Sequence, residues 1–411
     1  MLVARPHELV DQWSFRLAEF EASNDATRAR IIADLATKSL SPGARARLER
    51  LARGLALQRE RIVAVLGEAG ISALARKSPE PEGVPSEGSI TSYLHHVHRD
   101  WAWDDQGSIE NREALAAVAR VLEPQPQLGA VLVIGAGACR LASDLHAYGR
   151  ADVTIAVDIN PLPMLIARRV IAGESVRLVE LPVAPRDLEH VFVERSLHAE
   201  HVVREGFVQL FADAFALPFA SGSFDTVVTP WFIDQVPRDL ASFLPVIRGL
   251  LRPGGRWINH GPLIYHPSHT ELAARYASDE VLALAKAAGL VAQRSRADRL
   301  PYLQSPACSR GRAEMVFTFV AARVEVVEPE LAAPASPVWI VDRSLSVPRF
   351  DGLDGYEPPH PLFGAVVRLI DGERSTDQIA AVLVRDFHLP VDAAAPGVGS
   401  CLAEIWRATR Q

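Results

Sequence analysis

"VLVIGAGACRL", residues Val131–Leu141, decides how this chain is read. Val131–Ile134 is an aliphatic run with no polar alternation, as a strand covered on both faces requires. Gly135 and Gly137 follow, and then a helical pattern, "CRLASDLHAYG". A glycine turn between strand and helix lets backbone approach a ligand at the positive end of the helix. Arg140 stands where a dinucleotide fingerprint needs its third glycine for helix–strand packing, which argues against NAD. Alone, the motif is also compatible with a purely structural turn.

The same grammar continues on the C-terminal side. "DVTIAVD", "GFVQLFAD", "FDTVVT", "GGRWINH" and "MVFTFVAARV" read as strands, with helical "PLPMLIARRVI" among them. Strands alternating with helices predict a mostly parallel sheet with helices on both faces. Residues between Ala172 and Gly206 are less periodic and read as a flap or an extra helix. Three carboxylates fall at strand ends. Asp158 closes "TIAVD", where a carboxylate can hold both hydroxyls of a ribose. Asp213 closes "LFAD", where one could accept a hydrogen bond from an adenine amino group. Asp234 follows "TPWFI", where the strand pattern asks for an apolar residue. Each is also compatible with a helix N-cap.

On the N-terminal side, residues 1–76 form a helical region rich in Ala, Leu, Arg and Glu. "KSPEPEGVPSEGS" (77–89) reads as a linker. "ITSYLHHVHRDWAW" and "NREALAAVARVL" are short helices before the sheet, which opens at Gly129. "EVVEPELAAPASP" is a second linker, and residues 334–411 recover helical periodicity. There, Ser375 and Gln378 have the spacing of a capping box.

The chain has 411 residues, enough for two or three domains, with 48% hydrophobic and 23% charged residues and a formal net charge of −7. That balance points to neither nucleic acid nor an anionic membrane as a partner. Cys139, Cys308 and Cys401 are too scattered for a disulfide framework or a metal knuckle. The start "MLVARPHELV" has no signal-peptide core, and no apolar run spans a bilayer, so a cytoplasmic protein is expected. His95, His96 and His98 cluster, but no partner motif completes a metal site, and none is expected.

Together, "VLVIGAGACR", "AVDIN", "ADAFALPFASGSFDTVVT" and "LLRPGGRWINHGP" resemble the motifs of the S-adenosylmethionine-dependent methyltransferases, in order and spacing. The resemblance runs over about Val131–Val324. It implies a Rossmann-like class I methyltransferase sheet within a domain at 90–324, with S-adenosyl-L-methionine as cofactor. "LHHVHRDW", "PWFIDQV" and "GGRWINHGPLIYH" narrow it, because they are similar to the carnosine N-methyltransferase-like family. That resemblance implies that Arg99 grips the cofactor carboxylate. His96 stands where the family has glutamine. Gly135, Gly137, Asp158, Asp213 and Ala214 complete the implied cofactor site. It implies further that Asp234 orients an imidazole ring, that His266 helps hold the substrate, and that Trp231, Phe232 and Tyr265 line the pocket. The family's closing strand carries substrate-contacting tyrosines where this chain has Glu314, Met315 and Phe317, so carnosine itself is not the expected acceptor.

The tail, "HPLFGAVVRLIDGERSTDQIAAVLVRDFHLP" and beyond, resembles the PqqD-like module, a small winged-helix-like α+β domain that binds leader peptides. Such a module would add the leader as a strand to its sheet edge. The expected function is therefore methylation of an imidazole nitrogen in a histidine-containing peptide recruited by the tail. Two other readings stay open: a small-metabolite methyltransferase with a structural tail, and a catalytically dead peptide-binding adaptor.

Overall fold

The computed structural model describes residues 2–3, 6–73, 90–104, 106–124, 126–200, 205–235, 239–265, 270–324, 337–356, 358, 361–387 and 391–409. The chain divides into two compact units, Met1–Glu325 and Val326–Gln411.

The first unit is built on one sheet. Its strands are β1 (Leu2–Val3), β2 (Gly129–Ile134), β3 (Ala151–Asp158), β6 (Phe207–Phe211), β7 (Phe224–Pro230), β8 (Leu251–Gly261), β9 (Leu290–Tyr302) and β10 (Arg312–Arg323). The order across the sheet is β1-β6-β3-β2-β7-β8-β10-β9. All neighbours are parallel except β10, which runs antiparallel to β8 and β9. This is a Rossmann-like sheet, joined at one edge by the two residues of β1. β4 (Val176–Glu180) and β5 (Val193–Leu197) form a separate antiparallel pair. The stretch read as a flap or an extra helix is thus a two-stranded sheet with a 3-10 turn at Glu189–Val191.

Alternation along the buried strands sorts side chains to two faces. Val131 and Val133 of β2 point to one core with Val228 and Ile258. That core is covered by α1 (Pro6–Thr37), α2 (Pro42–Gly67), α3 (Leu94–Trp101), α4 (Gln106–Val121), α5 (Arg140–Tyr148) and α6 (Pro161–Ile171), through residues such as Leu17, Leu66, Val97, Val118, Leu145 and Ile166. Leu132 and Ile134 point to the other core, closed by Phe243 and Ile247 of α7 (Leu240–Leu250) and Val281 of α8 (Ser278–Ala287). The N-terminal helices therefore pack onto the same core as the central sheet. Burial on both faces explains why β2 carries no polar alternation.

The strand order reverses between β3 and β7, on either side of β2. Open parallel sheets bind ligands at such a point, outside the carboxyl ends of the strands. Gly135 follows β2 there, and Trp231 follows β7.

The second unit contains α9 (Val338–Val341), α10 (Pro361–Leu369), α11 (Thr376–Phe387) and α12 (Val391–Ala408) around Trp339, Val366, Ile379, Leu383, Leu402 and Ile405. The capping box forms as read: Ser375 N donates to Gln378 Oε1 (2.8 Å) and Gln378 N to Ser375 Oγ (3.2 Å). Among the described residues its strand-type pairing is the isolated antiparallel bridge Ser346–Ser375. The sheet edge expected to receive a leader strand is not present in those residues. No helix among the described residues is long and apolar enough to cross a membrane.

Candidate functional site

Two glycines open the site, and each answers to a different neighbour. Gly135 has φ +76°, and a β-carbon there would lie 2.4 Å from the Phe232 ring. Gly135 therefore lets the chain after β7 press against the turn after β2. Gly137 also has positive φ, +53°, but a β-carbon there would meet nothing within 4 Å. Its backbone faces open space, as a site for a ligand edge demands.

Asp158 shapes this turn from the end of β3. Its Oδ2 accepts from Gly137 N (2.7 Å) and its Oδ1 from Asn160 N (2.8 Å). Burial raises its pKa, against the pull of the backbone N–H groups of Asn160, Gly137 and Ile159. The cap of the following helix comes not from Asp158 but from Asn160, whose Oδ1 accepts from Leu162 N (3.1 Å). Asp213 lies past β6, exposed, with Oδ1 taken by Phe215 N (2.9 Å); Ala214 beside it is half-buried.

α3 sits against the same turn. Trp101 Nε1 donates to Ala138 O (2.8 Å), and Arg140 Nη1 returns a bond to Asp100 O (3.0 Å). Arg140 thus clamps α3 where the dinucleotide fingerprint has glycine. Arg99 is held by Asp100 Oδ1 (2.7 Å). Burial opposes its charge, but Asp100 more than restores it and the pKa is raised. The Arg99 charge depresses the pKa of both His96 and His260, which places it within the cluster described next.

That cluster is a wall of rings drawn from four segments. Trp231 stacks on Tyr302 with centroids 4.2 Å apart. Tyr302 Oη is 2.7 Å from His96 Nε2, and the His96 ring lies 5.7 Å from that of Tyr93. Burial, with the Arg99, His95 and Arg312 charges, holds His96 well below its usual pKa, so it is neutral. Burial and the charges of Asp158, Tyr302 and Asp234 push the Tyr93 phenol to about 12. Tyr93 therefore feels both the glycine-turn carboxylate and the one after β7. His260 on β8 is fully buried, with Nδ1 2.9 Å from Thr318 Oγ1.

Trp231 holds a left-handed backbone, φ +49°. Such a conformation costs a non-glycine residue roughly 1–2 kcal/mol. The surroundings enforce it: Trp231 N donates to His260 O (2.7 Å), and a β-carbon on Gly261 would approach Trp231 Cα to 2.8 Å. The kink sends Phe232 to Gly135 and turns Asp234 inward.

Asp234 is 2% exposed. Its Oδ2 accepts from Ile264 N (3.0 Å), while Oδ1 is buried with no hydrogen-bond partner among the described residues. Burial pushes its pKa up to about 6, although Ile264 N–H and Gln235 pull it down. It caps no helix, because the N-cap of α7 is Asp239, whose Oδ1 accepts from Ala241 N (2.9 Å). Tyr265 is near enough to feel it: burial first, and then the Asp234 charge, raise that phenol to about 12. The Tyr265 hydroxyl is buried and unpartnered among the described residues. His266 lies outside the described residues. No group of three or more His, Cys, Asp or Glu is placed to hold a metal ion among those described.

Sequence reading missed Tyr302, Tyr93 and Glu110. Tyr302 ends β9, a strand not recognised because it is an edge strand with a run of exposed residues, Arg294, Arg296 and Arg299 among them, and no alternation. Glu110 on α4 accepts from Leu303 N (2.8 Å) and Gln304 N (2.7 Å), which anchors the turn after Tyr302. The one local signal was "PYLQSP", an aromatic between two prolines after a charged stretch.

A family model described as Carnosine N-methyltransferase matches residues 186–315. That span holds Asp213, the Trp231–Asp234 turn and Tyr302, and begins after Gly135 and Asp158. A carnosine N-methyltransferase of Dictyostelium discoideum is 26% identical over 200 residues, or 43% of this chain and 42% of that protein. The match thus spans well under half of the relative's length. Among solved structures, a chain from the complex of the Haloferax volcanii Trm112 methyltransferase activator with a methyltransferase is 15% identical, TM-score 0.38, covering 58% of this chain and 100% of that one. The Burkholderia thailandensis 1,6-didemethyltoxoflavin-N1-methyltransferase, solved with 1,6-didemethyltoxoflavin and S-adenosylhomocysteine, is 18% identical, TM-score 0.35, over 57% of this chain and 87% of that one.

Proposed function

We propose that this chain is an S-adenosylmethionine-dependent N-methyltransferase whose acceptor is an imidazole nitrogen of a histidine-containing molecule. The observation that carries the reading is the buried Asp234 carboxylate, with one oxygen that has no hydrogen-bond partner among the described residues, at the switch point of a class I methyltransferase sheet. A buried acceptor atom left unpaired costs free energy, so a native site that keeps one is built for a donor that arrives with a ligand.

The residues present fit the cofactor. Open space above Gly137 accepts its amino-acid end, Arg99 supplies a cation for its carboxylate, Asp158 a carboxylate for its ribose, and Asp213 an acceptor near its base. When bound, S-adenosylmethionine supplies an electrophilic methyl group on sulfur. The rest of the work falls to the chain. An imidazole has a reference pKa near 6.5 and is mostly neutral at pH 7. Asp234 Oδ1 accepts the N–H of one ring nitrogen, which keeps the lone pair of the other nitrogen free. The carboxylate also offsets the positive charge that appears on the ring as the N–CH3 bond forms. Trp231, Phe232 and Tyr302 exclude water from the reacting atoms. Tyr265 adds a buried hydroxyl beside the carboxylate.

The test is mass spectrometry of histidine-containing dipeptides and peptides after incubation with the protein and S-adenosylmethionine. Gain of one methyl mass on the histidine side chain is the expected outcome. Cofactor binding by calorimetry with no methylation of any imidazole would leave the fold reading standing and remove the acceptor. Recruitment of a peptide by the residues after 334 is proposed only from their sequence resemblance.

A further inference from the structure

The turn after β9 is held with unusual care. Leu303 takes a left-handed backbone, φ +49°, which a non-glycine residue adopts only where its surroundings enforce it. Glu110 of α4 enforces it by accepting from Leu303 N (2.8 Å) and Gln304 N (2.7 Å), and the Ser305 hydroxyl donates to Glu180. Both carboxylates are buried. Trp231, stacked on Tyr302 with centroids 4.2 Å apart, fixes the ring itself. A turn so anchored brings Tyr302 Oη to His96 Nε2 at 2.7 Å.

The direction of that bond follows from the charges around it. Burial raises the Tyr302 phenol, against the pull of the Arg99 charge and of the Arg312 charge and hydrogen bond, so the hydroxyl keeps its proton. His96 is neutral and carries one ring proton. The Arg312 guanidinium lies 4.5 Å from the Tyr302 ring centroid and can only donate. A cation on that side turns the phenol proton away from itself and toward His96 Nε2. The His96 ring proton then sits on Nδ1.

That nitrogen is buried and has no hydrogen-bond partner among the described residues. His96 and Arg99 are three residues apart on α3 and so share a face, and the Arg99 charge is, after burial, the largest influence on the His96 ring. α3 is itself tied to the glycine turn by the bond from Trp101 Nε1 to Ala138 O. A cation and a buried N–H donor therefore lie side by side, next to the turn that opens at Gly137. A buried donor left unpaired costs free energy until an acceptor arrives, and an anion suits both groups.

We infer that Tyr302 is a positioning residue for the cofactor: its hydroxyl holds His96 in the tautomer whose Nδ1–H, beside Arg99, donates to the carboxylate of S-adenosylmethionine. This inference rests on the cofactor placement proposed above and is independent of the acceptor.

The probes are S-adenosylhomocysteine and its decarboxylated analogue, which differ only in the carboxylate, titrated calorimetrically into the full chain. The wild type is expected to bind S-adenosylhomocysteine about tenfold or more tightly than the analogue, the scale of charge-assisted bonds. Tyr302→Phe keeps the ring and its stack on Trp231 but frees the imidazole to exchange tautomers. It should weaken S-adenosylhomocysteine by about threefold to tenfold and leave the analogue unchanged, which also shows that the variant is folded. His96→Asn can present an amide N–H where Nδ1 stood, with no tautomer to choose. In that background Tyr302→Phe should have no further effect, and a loss that persists there shows that Tyr302 does not act through His96. Equal loss on both ligands, or no loss on either, overturns the inference and leaves Tyr302 as a wall of the pocket. Equal wild-type affinities overturn the carboxylate contact and the inference together. A wild type that binds neither ligand removes the cofactor placement itself, and this inference with it.

Discussion

Two carboxylates lie equally deep in the first unit and have opposite environments. Glu180, at the end of β4, is 1% exposed, and Asp234, after β7, is 2% exposed. Glu180 accepts from Arg195 Nε (2.7 Å), Trp103 Nε1 (3.1 Å) and the Ser305 hydroxyl. Burial works against its charge, but His98, Ser305 and Arg195 win and its pKa is lowered. Asp234 has the Ile264 N–H and the pull of Gln235, with Oδ1 unpartnered among the described residues, and burial wins. Depth alone therefore does not mark a functional carboxylate; depth with an unmet acceptor does. Glu180 ties β4, β5, the segment after α3 and the loop after β9 into one body. Asp234 is left with capacity for a ligand.

The largest expected effect falls on Asp234. In Asp234→Asn the charge is lost and the amide can rotate to offer N–H, which selects the wrong imidazole tautomer. Steady-state kinetics should show kcat down by about 10²–10⁴, with cofactor affinity unchanged. Near-wild-type turnover would erase the distinction from Glu180.

Stability should move the other way in the two variants. Glu180→Gln leaves the Arg195 cation without its counter-charge and should cost about 3 kcal/mol, read from denaturant midpoints. Asp234→Asn removes an underpaired buried charge and should stabilise the fold by about 1–2 kcal/mol at pH 7. Loss of stability in both would mean that Asp234 is another structural carboxylate.

Cofactor affinity should respond to Asp158→Ala by about 1.5–3 kcal/mol, measured by calorimetry, because the carboxylate is proposed to hold the cofactor ribose and also holds Gly137 N–H. The structure adds that part of this loss comes from loosening the turn.

pH separates the pair without a change in the cofactor site. Asp234 has a folded pKa of about 6 against an ordinary 3.8, so the folded state binds the extra proton between those values. Its ionisation therefore costs stability as pH rises through that window, and wild type should gain on Asp234→Asn as pH falls from 7 to 5. Glu180 is lowered from 4.5, so its contribution is present above that value and is lost only as pH falls below it. The gap between wild type and Glu180→Gln should stay constant from pH 7 to 5. For activity the sign is simple: turnover should decline as pH drops through about 6, where Asp234 and the imidazole both take up protons.

The smallest effect is expected from truncation after residue 333. If the tail recruits peptide, KM for a full-length peptide rises while kcat on a short fragment holds. Equal loss on both substrates would make the tail a support for the first unit.

Much of the candidate site was legible because parallel strands deliver their carboxyl ends to one edge of a sheet. Gly135, Asp158, Asp213 and Asp234 each follow a strand that an aliphatic run announces, so their common location follows from the pattern. Phe232 was legible as an aromatic, but not its contact with Gly135, which lies 97 positions earlier in the chain and is adjacent only in space. Tyr302 was not legible. Its strand lies at the sheet edge, where exposure removes the alternation that periodicity reads. No local pattern in the sequence marks Glu180 or Ser305 as buried.

The sequence by itself determined the α/β architecture and the order of the motifs, because those depend on periodicity and on local backbone freedom. Only the tertiary structure decided which carboxylate is satisfied and which is not. Hydrogen-bond partners such as Arg195 for Glu180, or Ile264 N–H for Asp234, come from distant segments, and pKa depends on burial and partners together. No local pattern encodes an oxygen left without a donor.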